Sequence, residues 1–297
     1  MKNNILWKKL GLIYNPYDEK NRHEKLITHS SNPVALKLEG SIYRIFYSGR
    51  DSQNRSSVGG FDYDIRKLKI VQDYKKPFLI HGSENSFFAD GISIGCYYEN
   101  KNSKYILFMG WQNPKNSHWR GDIGRIKVDQ NFKLEIDSNL PLLAADNNFD
   151  KISLSYPWVS IHNKVFHMFY GSTLNWKEKN NEMVHVINRA ESFDGNKWIR
   201  KGLEIPYKIN EYQAFSRPSH SFLEDNSERI WFSYRSGQGE KYRIGYAEKN
   251  NEKWNVNNKM AGINISASGW DSEMIEYPFV FNHEGINYML YNGNGFG

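Results

Sequence analysis

A short aromatic segment recurs five times and spans the chain. The copies are Tyr43-Arg44-Ile45-Phe46-Tyr47, Tyr105-Ile106-Leu107-Phe108-Met109, Phe166-His167-Met168-Phe169-Tyr170, Ile230-Trp231-Phe232-Ser233-Tyr234 and Tyr288-Met289-Leu290-Tyr291. Their last residues fall at 47, 109, 170, 234 and 291, in steps of 62, 61, 64 and 57. Apolar and aromatic runs this short read as strands rather than helices. A near-constant period across 297 residues means that one supersecondary unit is repeated.

Each copy has neighbours of the same kind. Upstream stand X-Pro pairs, Asn32-Pro33, Tyr156-Pro157, Arg217-Pro218 and Tyr277-Pro278, with Asp90-Gly91 taken as the counterpart in the second copy. Proline has no N–H to give a ladder and is tolerated at the start of a strand. Downstream lie third strands around Val58-Gly59-Gly60, Ile123-Gly124, Val186-Ile187 and Ile244-Gly245-Tyr246. A turn and a tryptophan follow in two copies, as Asp194-Gly195-Asn196-Lys197-Trp198 and Asn250-Asn251-Glu252-Lys253-Trp254. Three or four short strands per 60 residues, with almost no helical periodicity, predict an all-β, five-bladed β-propeller forming a single domain over 1–297. A β-sandwich is the structural alternative. Trp7-Lys8-Lys9-Leu10-Gly11-Leu12-Ile13 resembles Trp198-Ile199-Arg200-Lys201-Gly202-Leu203-Glu204, so the N-terminal strand is expected to close the ring as the outer strand of blade five. The fifth blade lacks a third strand, which leaves an edge for a second chain and makes a homodimer an open option.

Composition excludes several classes. No run of about 18 apolar residues is present, so no transmembrane helix is expected. The N-terminal apolar stretch breaks after Trp7, short of a signal-peptide core, and a cytoplasmic location is expected. Cys96 is the one cysteine, which rules out an internal disulfide and a cysteine zinc site. The nine histidines lack metal-ligand spacing, so neither metal nor cofactor is expected. A net charge of +6 is spread without a basic cluster, which argues against nucleic acid and for mild attraction to anionic ligands. Phosphate-cradling loops, nucleophile elbows and His-Glu-x-x-His are missing.

In a propeller the first strands converge on the axis, so residues near the X-Pro pairs and after the second strands are the candidate site. These are His29, Asn32, Asp90, Tyr156, Arg217, Trp270, Asp271, Glu273, Glu276 and Tyr277, joined by Arg50, Trp111, Arg235 and Asn292. Carboxylates and amides grip sugar hydroxyls, arginines hold anions, and indoles stack on pyranose faces. Glycoside cleavage needs two carboxyl groups flanking the bond. Asp90 and Glu273 are assigned as the acid/base pair, tuned by Asp271, in an arrangement suited to inversion. Arg50, Arg217 and Arg235 are assigned to an anionic group. Each has a plainer reading: Asp90 as a turn residue, Asp271 and Glu273 as loop caps, Glu276 as a partner of Arg217, His29 as a buried structural histidine, and Arg50 and Arg235 as ties between blades.

The repeat, the Ser192-Phe193-Asp194-Gly195-Asn196-Lys197-Trp198 turn and the X-Pro strands resemble the five-bladed propeller glycosidases of families 32, 43, 62, 68 and 130. His29-Ser30-Ser31-Asn32-Pro33, Ser216-Arg217-Pro218, Tyr242–Glu248, Gly269-Trp270-Asp271-Ser272-Glu273-Met274 and Tyr291–Gly295 are similar to a branch resembling the N-terminal domain of plant glucosamine inositolphosphorylceramide transferases. The resemblance implies a carbohydrate or glycoconjugate partner and a place in bacterial surface-polysaccharide metabolism, as a hydrolase or glycosyl-transferring enzyme, with phosphorolysis a further option. Families 32 and 43 place acids on blades one, two and three, and of those positions only Asp90 matches here. The alternative function is a non-catalytic carbohydrate-binding propeller in a glycan-biosynthesis complex.

Overall fold

The computed structural model describes residues 5–18, 22–115, 117–146, 148–176, 183–208, 211, 213–236 and 240–297. The chain is all-β. Four antiparallel units of four strands follow one another: β1 (Thr28–Glu39), β2 (Ile42–Arg50), β3 (Ser56–Asp64) and β4 (Lys69–Leu79); β5 (Gly91–Asn100), β6 (Ser103–Gln112), β7 (Arg120–Val128) and β8 (Leu134–Ile136); β9 (Leu154–His162), β10 (Val165–Asn175), β11 (Val184–Ser192) and β12 (Ile199–Leu203); β13 (Ala214–Phe222), β14 (Glu228–Arg235), β15 (Arg243–Asn250) and β16 (Lys253–Val256). A two-stranded hairpin, β17 (Glu276–His283) and β18 (Ile286–Asn292), ends the series. Single parallel bridges, Ser56 to Gly91 and His185 to Ala214, join units one and two and units three and four into eight-stranded sheets. The recurrent aromatic segments are the second strands, whose Phe46, Tyr47, Phe108, Phe169, Tyr170 and Phe232 are fully buried. First strands pack in sequence, β1 on β5, β5 on β9, β9 on β13 and β13 on β17, and β17 packs back on β1.

The X-Pro pairs do not open the first strands as the sequence suggested. They sit inside them, at a break in the register with the second strand. A bulge is where a strand tolerates a residue that cannot donate to the ladder. The residue before each proline has left-handed backbone: φ is 56° at Asn32, 41° at Tyr156, 50° at Arg217 and 54° at Tyr277. Such backbone costs about 1–3 kcal/mol for a bulky side chain, and surrounding contacts must hold it. At two of the four a clasp from a neighbouring unit does so. Tyr277 N–H donates to Ser233 Oγ at 2.9 Å, and Asn32 N–H donates to Asn292 Oδ1 at 3.0 Å.

Unit two has no proline, and the pairing of Asp90-Gly91 with the X-Pro pairs is corrected. The equivalent break lies between Ile94 and Cys96, and Ile94 N–H makes the matching clasp to Ser48 Oγ at 3.1 Å. Gly95 is required there, because a Cβ would stand 2.5 Å from the carbonyl oxygen of Pro157.

The N-terminal segment also departs from expectation. Residues 5–15 form no strand. Their course matches an outer strand nonetheless. Trp7 meets Trp231 edge to face at 5.6 Å and donates its backbone N–H to Gly262 O, and Tyr14 stacks on Phe61 at 4.7 Å. Gly11 has φ of 109°, as Gly202 in β12 has 84°.

Arg217 spans the centre. Its fully buried guanidinium donates to the carbonyls of Ile94, Gly95 and Pro33, tying unit four to units one and two. Burial lowers its pKa to about 10, so it remains a cation at neutral pH. Arg217→Ala should lower unfolding free energy by about 3 kcal/mol or more, since three buried acceptors lose a charged donor. Arg217→Lys should not restore it, because an ammonium lacks the planar fork that reaches two units at once. Urea unfolding of the two variants measures both effects.

Candidate active site

Backbone pairing brings one end of every unit to a common rim. Thr28 pairs with Arg50, Arg50 with Ser56, Ser56 with Gly91, Gly91 with Trp111 and Trp111 with Gly121. On the other side Thr173 pairs with His185, His185 with Ala214 and Ala214 with Arg235, and Glu276 pairs with Asn292. At the start of each register break, one residue before Asn32, Ile94, Tyr156, Arg217 and Tyr277, the first strands carry Ser31, Ser93, Ser155, Ser216 and Glu276, all buried. Four units place a serine where the fifth places a carboxyl.

Glu276 is 0 % exposed, and neither of its oxygens has a hydrogen-bond partner. Burial pushes its pKa well above the usual 4.5, against the opposing pull of Arg50. Burial therefore favours the protonated form of the carboxyl. Tyr156 and Tyr277 lie within electrostatic reach of it, with hydroxyls 3.5 Å apart and rings 5.4 Å apart. Arg50 donates to Asn54 Oδ1 at 2.7 Å and also acts on His29 and Tyr156. Burial and then Arg50 lower the His29 pKa to about 4, so its ring is neutral at pH 7; its Nδ1 lies 2.8 Å from Thr28 Oγ1. Asn32 Oδ1 and Ser155 Oγ are buried without partners at the same level of units one and three. A buried acid biased toward its protonated form, a neutral imidazole, a guanidinium and unpaired acceptors form a polar site able to bind hydroxyls.

The other predicted residues are distributed differently. Asp90 is half-buried, and its carboxylate accepts the Asn113 N–H at 2.7 Å. Trp111 gives its indole N–H to Ser56 Oγ at 2.9 Å, over a Gly91 that leaves no room for a Cβ. Asp271 is buried and pinned: Lys9 bonds it at 2.6 Å and Tyr291 at 2.8 Å. Burial would raise its pKa, but the bonds from Lys9, Ser266 and Tyr291 outweigh that and keep it ionised. Glu273 leaves 57 % of its side chain exposed and pairs with Lys241. Trp270 stacks on Tyr291 at 5.2 Å, and the Arg235 guanidinium lies 5.3 Å from the Tyr242 ring. Arg217 and Asn292 are occupied by the central brace and the clasp to unit one. Arg217 makes no pair with Glu276.

His185 escaped the sequence reading. It is buried on the rim with Nδ1 3.2 Å from Thr173 Oγ1, and Trp119 stacks on it at 5.9 Å. Burial, with Arg235 and His118 nearby, lowers its pKa to about 3. No local motif marks it. Among the described residues no group of three His, Cys, Asp or Glu is arranged to hold a metal ion.

No family model matches the chain. Two curated relatives do, "Uncharacterized protein Rv1502" and "Uncharacterized protein MT1551", both from Mycobacterium tuberculosis. Each is 36 % identical over 296 residues, covering 99 % of this chain and 96 % of the relative. Among solved structures, the sucrose-6-phosphate hydrolase from Lactobacillus gasseri superposes with a TM-score of 0.66 at 13 % identity over 94 % of the chain. The chain spans 57 % of that enzyme's length. A structure described as "Glycoside hydrolase" gives 0.70 at 13 % identity, covering 95 % of this chain and 86 % of the other. The endo-arabinase from Bacteroides thetaiotaomicron gives 0.61 at 12 % identity, covering 92 % of each. The neighbours are propeller glycosidases, so the expected resemblance holds at the level of fold.

A carboxyl held protonated by burial makes stability depend on pH in the sense opposite to an ion-paired one. With the folded pKa raised, its contribution is full below about pH 4.5, the unfolded value, and is lost as pH rises through the folded value. Glu276→Gln removes that loss. The variant should match the wild type near pH 4 and gain in relative stability toward pH 9. Thermal midpoints of the two proteins across that range measure the divergence.

Proposed function

We propose, for the family to which this chain belongs, that of the Mycobacterium tuberculosis proteins Rv1502 and MT1551, a carbohydrate-processing activity at the rim around Glu276. The fold would be a five-bladed propeller in one domain, with residues 7–13 in the outer position of blade five. Its setting would be the cytoplasm and surface-polysaccharide metabolism, and its substrate a glycan or glycoconjugate bearing an anionic group. The observation that carries the reading is Glu276 itself. It is a buried, unpartnered carboxyl at the one repeat position that departs from serine.

In this reading Glu276 is the general acid. Its proton passes to the glycosidic oxygen as the bond to the anomeric carbon breaks. Asp90, the half-buried carboxylate of unit two, takes a proton from water, whose oxygen forms the new bond on the opposite face, as inversion requires. Arg50 and His29 bind the substrate's anionic group and neighbouring hydroxyls. Tyr156, Tyr277 and Asn32 line the sugar, with Trp111, Trp270 and Arg235 farther along the rim. This assignment moves the acid from Glu273 to Glu276. The reason is geometric: Glu273 is exposed and tied to Lys241, whereas Glu276 is buried without a partner.

Proton NMR on a panel of oligosaccharides, glycan phosphates and nucleotide sugars tests it. Glu276→Gln should reduce turnover by about 10²–10⁴, the usual contribution of a positioned acid. Asp90→Asn should also reduce it, and Glu273→Gln should leave it unchanged. Turnover lost in Glu273→Gln but kept in Glu276→Gln would overturn the assignment. Line broadening without turnover in every protein would leave a carbohydrate-binding module.

A further inference from the structure

The rim is joined differently between units two and three than on either side of them. Parallel bridges tie unit one to unit two and unit three to unit four. Between two and three, Gly121 N–H donates instead to Ser153 Oγ at 2.8 Å. Gly121 has no room for a Cβ, which would stand 2.4 Å from the carbonyl oxygen of Leu154. The start of β7 is thereby drawn against unit three, and the residues just before it, His118 and Trp119, lie across the junction.

Trp119 lies flat on His185, with ring planes 13° apart and centroids 5.9 Å apart. His185 beneath is 5 % exposed, whereas Trp119 keeps part of its surface in contact with water. The buried imidazole covers the inner face of the indole, so what is exposed belongs to its outer face and edge. His118 stands 5.2 Å from Trp119 and 5.5 Å from Trp176 of unit three, with planes tilted by 56° and 51°, and makes a low wall beside the flat ring. The repeat shows Trp119 to be an addition. The rim pairs Arg50–Ser56, Trp111–Gly121 and Thr173–His185 are equivalent, and two residues before their second members stand Asn54, Trp119 and Met183. Asn54 serves Arg50, and Met183 is buried. A side chain that only fills a junction is buried, as Met183 is. The loop that carries Trp119 also holds Asp90, whose carboxylate accepts the Asn113 N–H at 2.7 Å.

We propose, building on the carbohydrate reading of the rim, that Trp119 is the platform of a second sugar subsite. It stacks on the apolar face of a pyranose that belongs to the substrate but is not the sugar whose bond is cleaved. The substrate is then an oligosaccharide that runs from Glu276 past Asp90 to the junction of units two and three. An indole gives such a ring a large, rigid apolar surface, and the His118 imidazole and the exposed Arg120 side chain stand at its edge to meet hydroxyls. A nucleobase is the other flat ligand to consider. It is held between facing rings, and among the described residues no ring lies parallel to Trp119 on its outer side.

The probe is a printed array of bacterial surface glycans, each present at several lengths from monosaccharide to hexasaccharide, read with the labelled full chain. The wild type should bind the longer chains about tenfold or more tighter than the mono- and disaccharides cut from them. Trp119→Ala should lower that ratio on the order of tenfold, and Trp119→Tyr should restore most of it, because a phenol keeps a flat face. Binding of the short fragments, equal in all three proteins, reports an intact fold and an intact Glu276 end. Equal loss for short and long glycans in Trp119→Ala would make Trp119 a mere tie between units and overturn the proposal. An unchanged ratio would also overturn it while leaving the carbohydrate reading in place, and binding of no glycan at all would overturn both. Binding of uridine or adenosine monophosphate that depends on Trp119, without such dependence among glycans, would assign the platform to a nucleobase instead.

Discussion

A guanidinium buried among backbone carbonyls is an unusual centre for a β structure, and much of this one is arranged around it. Arg217 has no carboxylate within bonding distance; its partners are the carbonyls of Ile94, Gly95 and Pro33. Those carbonyls are available because the first strands break register at these positions. An unbroken ladder would have consumed them. Brace and bulges therefore depend on each other: the bulges supply acceptors, and the cation gives the left-handed backbone of Arg217 a reason to persist. Tyr156 and Tyr277, which carry the same backbone, lie within the field of that cation, and Glu276 adjoins Tyr277. The geometry of the site thus follows from how the centre is held.

The repeat was legible in the sequence because its cause is local. A second strand buried on both faces must be apolar and aromatic, and that pattern survives in Phe46-Tyr47, Phe169-Tyr170 and Trp231-Phe232. The X-Pro pairs were legible as markers of first strands but not as bulges, since proline signals only that a ladder donor is missing. Unit two shows the limit. It breaks register at Ile94-Gly95 with neither a proline nor a left-handed residue, so Asp90-Gly91, a familiar turn signal, is what the sequence offers in its place. Spacing distinguishes them afterwards: Asn32, Ile94, Tyr156, Arg217 and Tyr277 are separated by 62, 62, 61 and 60 residues.

The three acids of Asp271-Ser272-Glu273-Met274-Ile275-Glu276 illustrate why sites are harder to read than strands. They are alike in chemistry and near one another in sequence, yet they meet three environments. Asp271 is consumed by Lys9 and Tyr291, Glu273 stands in water with Lys241, and Glu276 is buried alone. Which of them keeps a proton is decided by desolvation and partners, which depend on residues as distant as Lys9 and Arg50. No spacing rule carries that information. Arg217 was misread for the same reason: an arginine at a channel position signals a buried cation, and only the fold says that carbonyls, not a ligand, satisfy it.

A chain of near-equal units has to break its own symmetry to make a site, because five identical rim positions offer no direction to a substrate. Serine gives way to Glu276 on β17, and the place held by Ser48, Met109, Gly171 and Ser233 in the other units is held by Asn292 on β18. Both residues fall on unit five, next to His29 and Arg50 of unit one. Asn292 is the longer clasp that this junction needs, since it also reaches Ser30 O at 3.0 Å and so fixes the loop that carries His29. The junction where the repeat is least regular is therefore also where an unpaired carboxyl, a neutral imidazole and a guanidinium come together. Regular units supply the rigidity, and the irregular one supplies the chemistry.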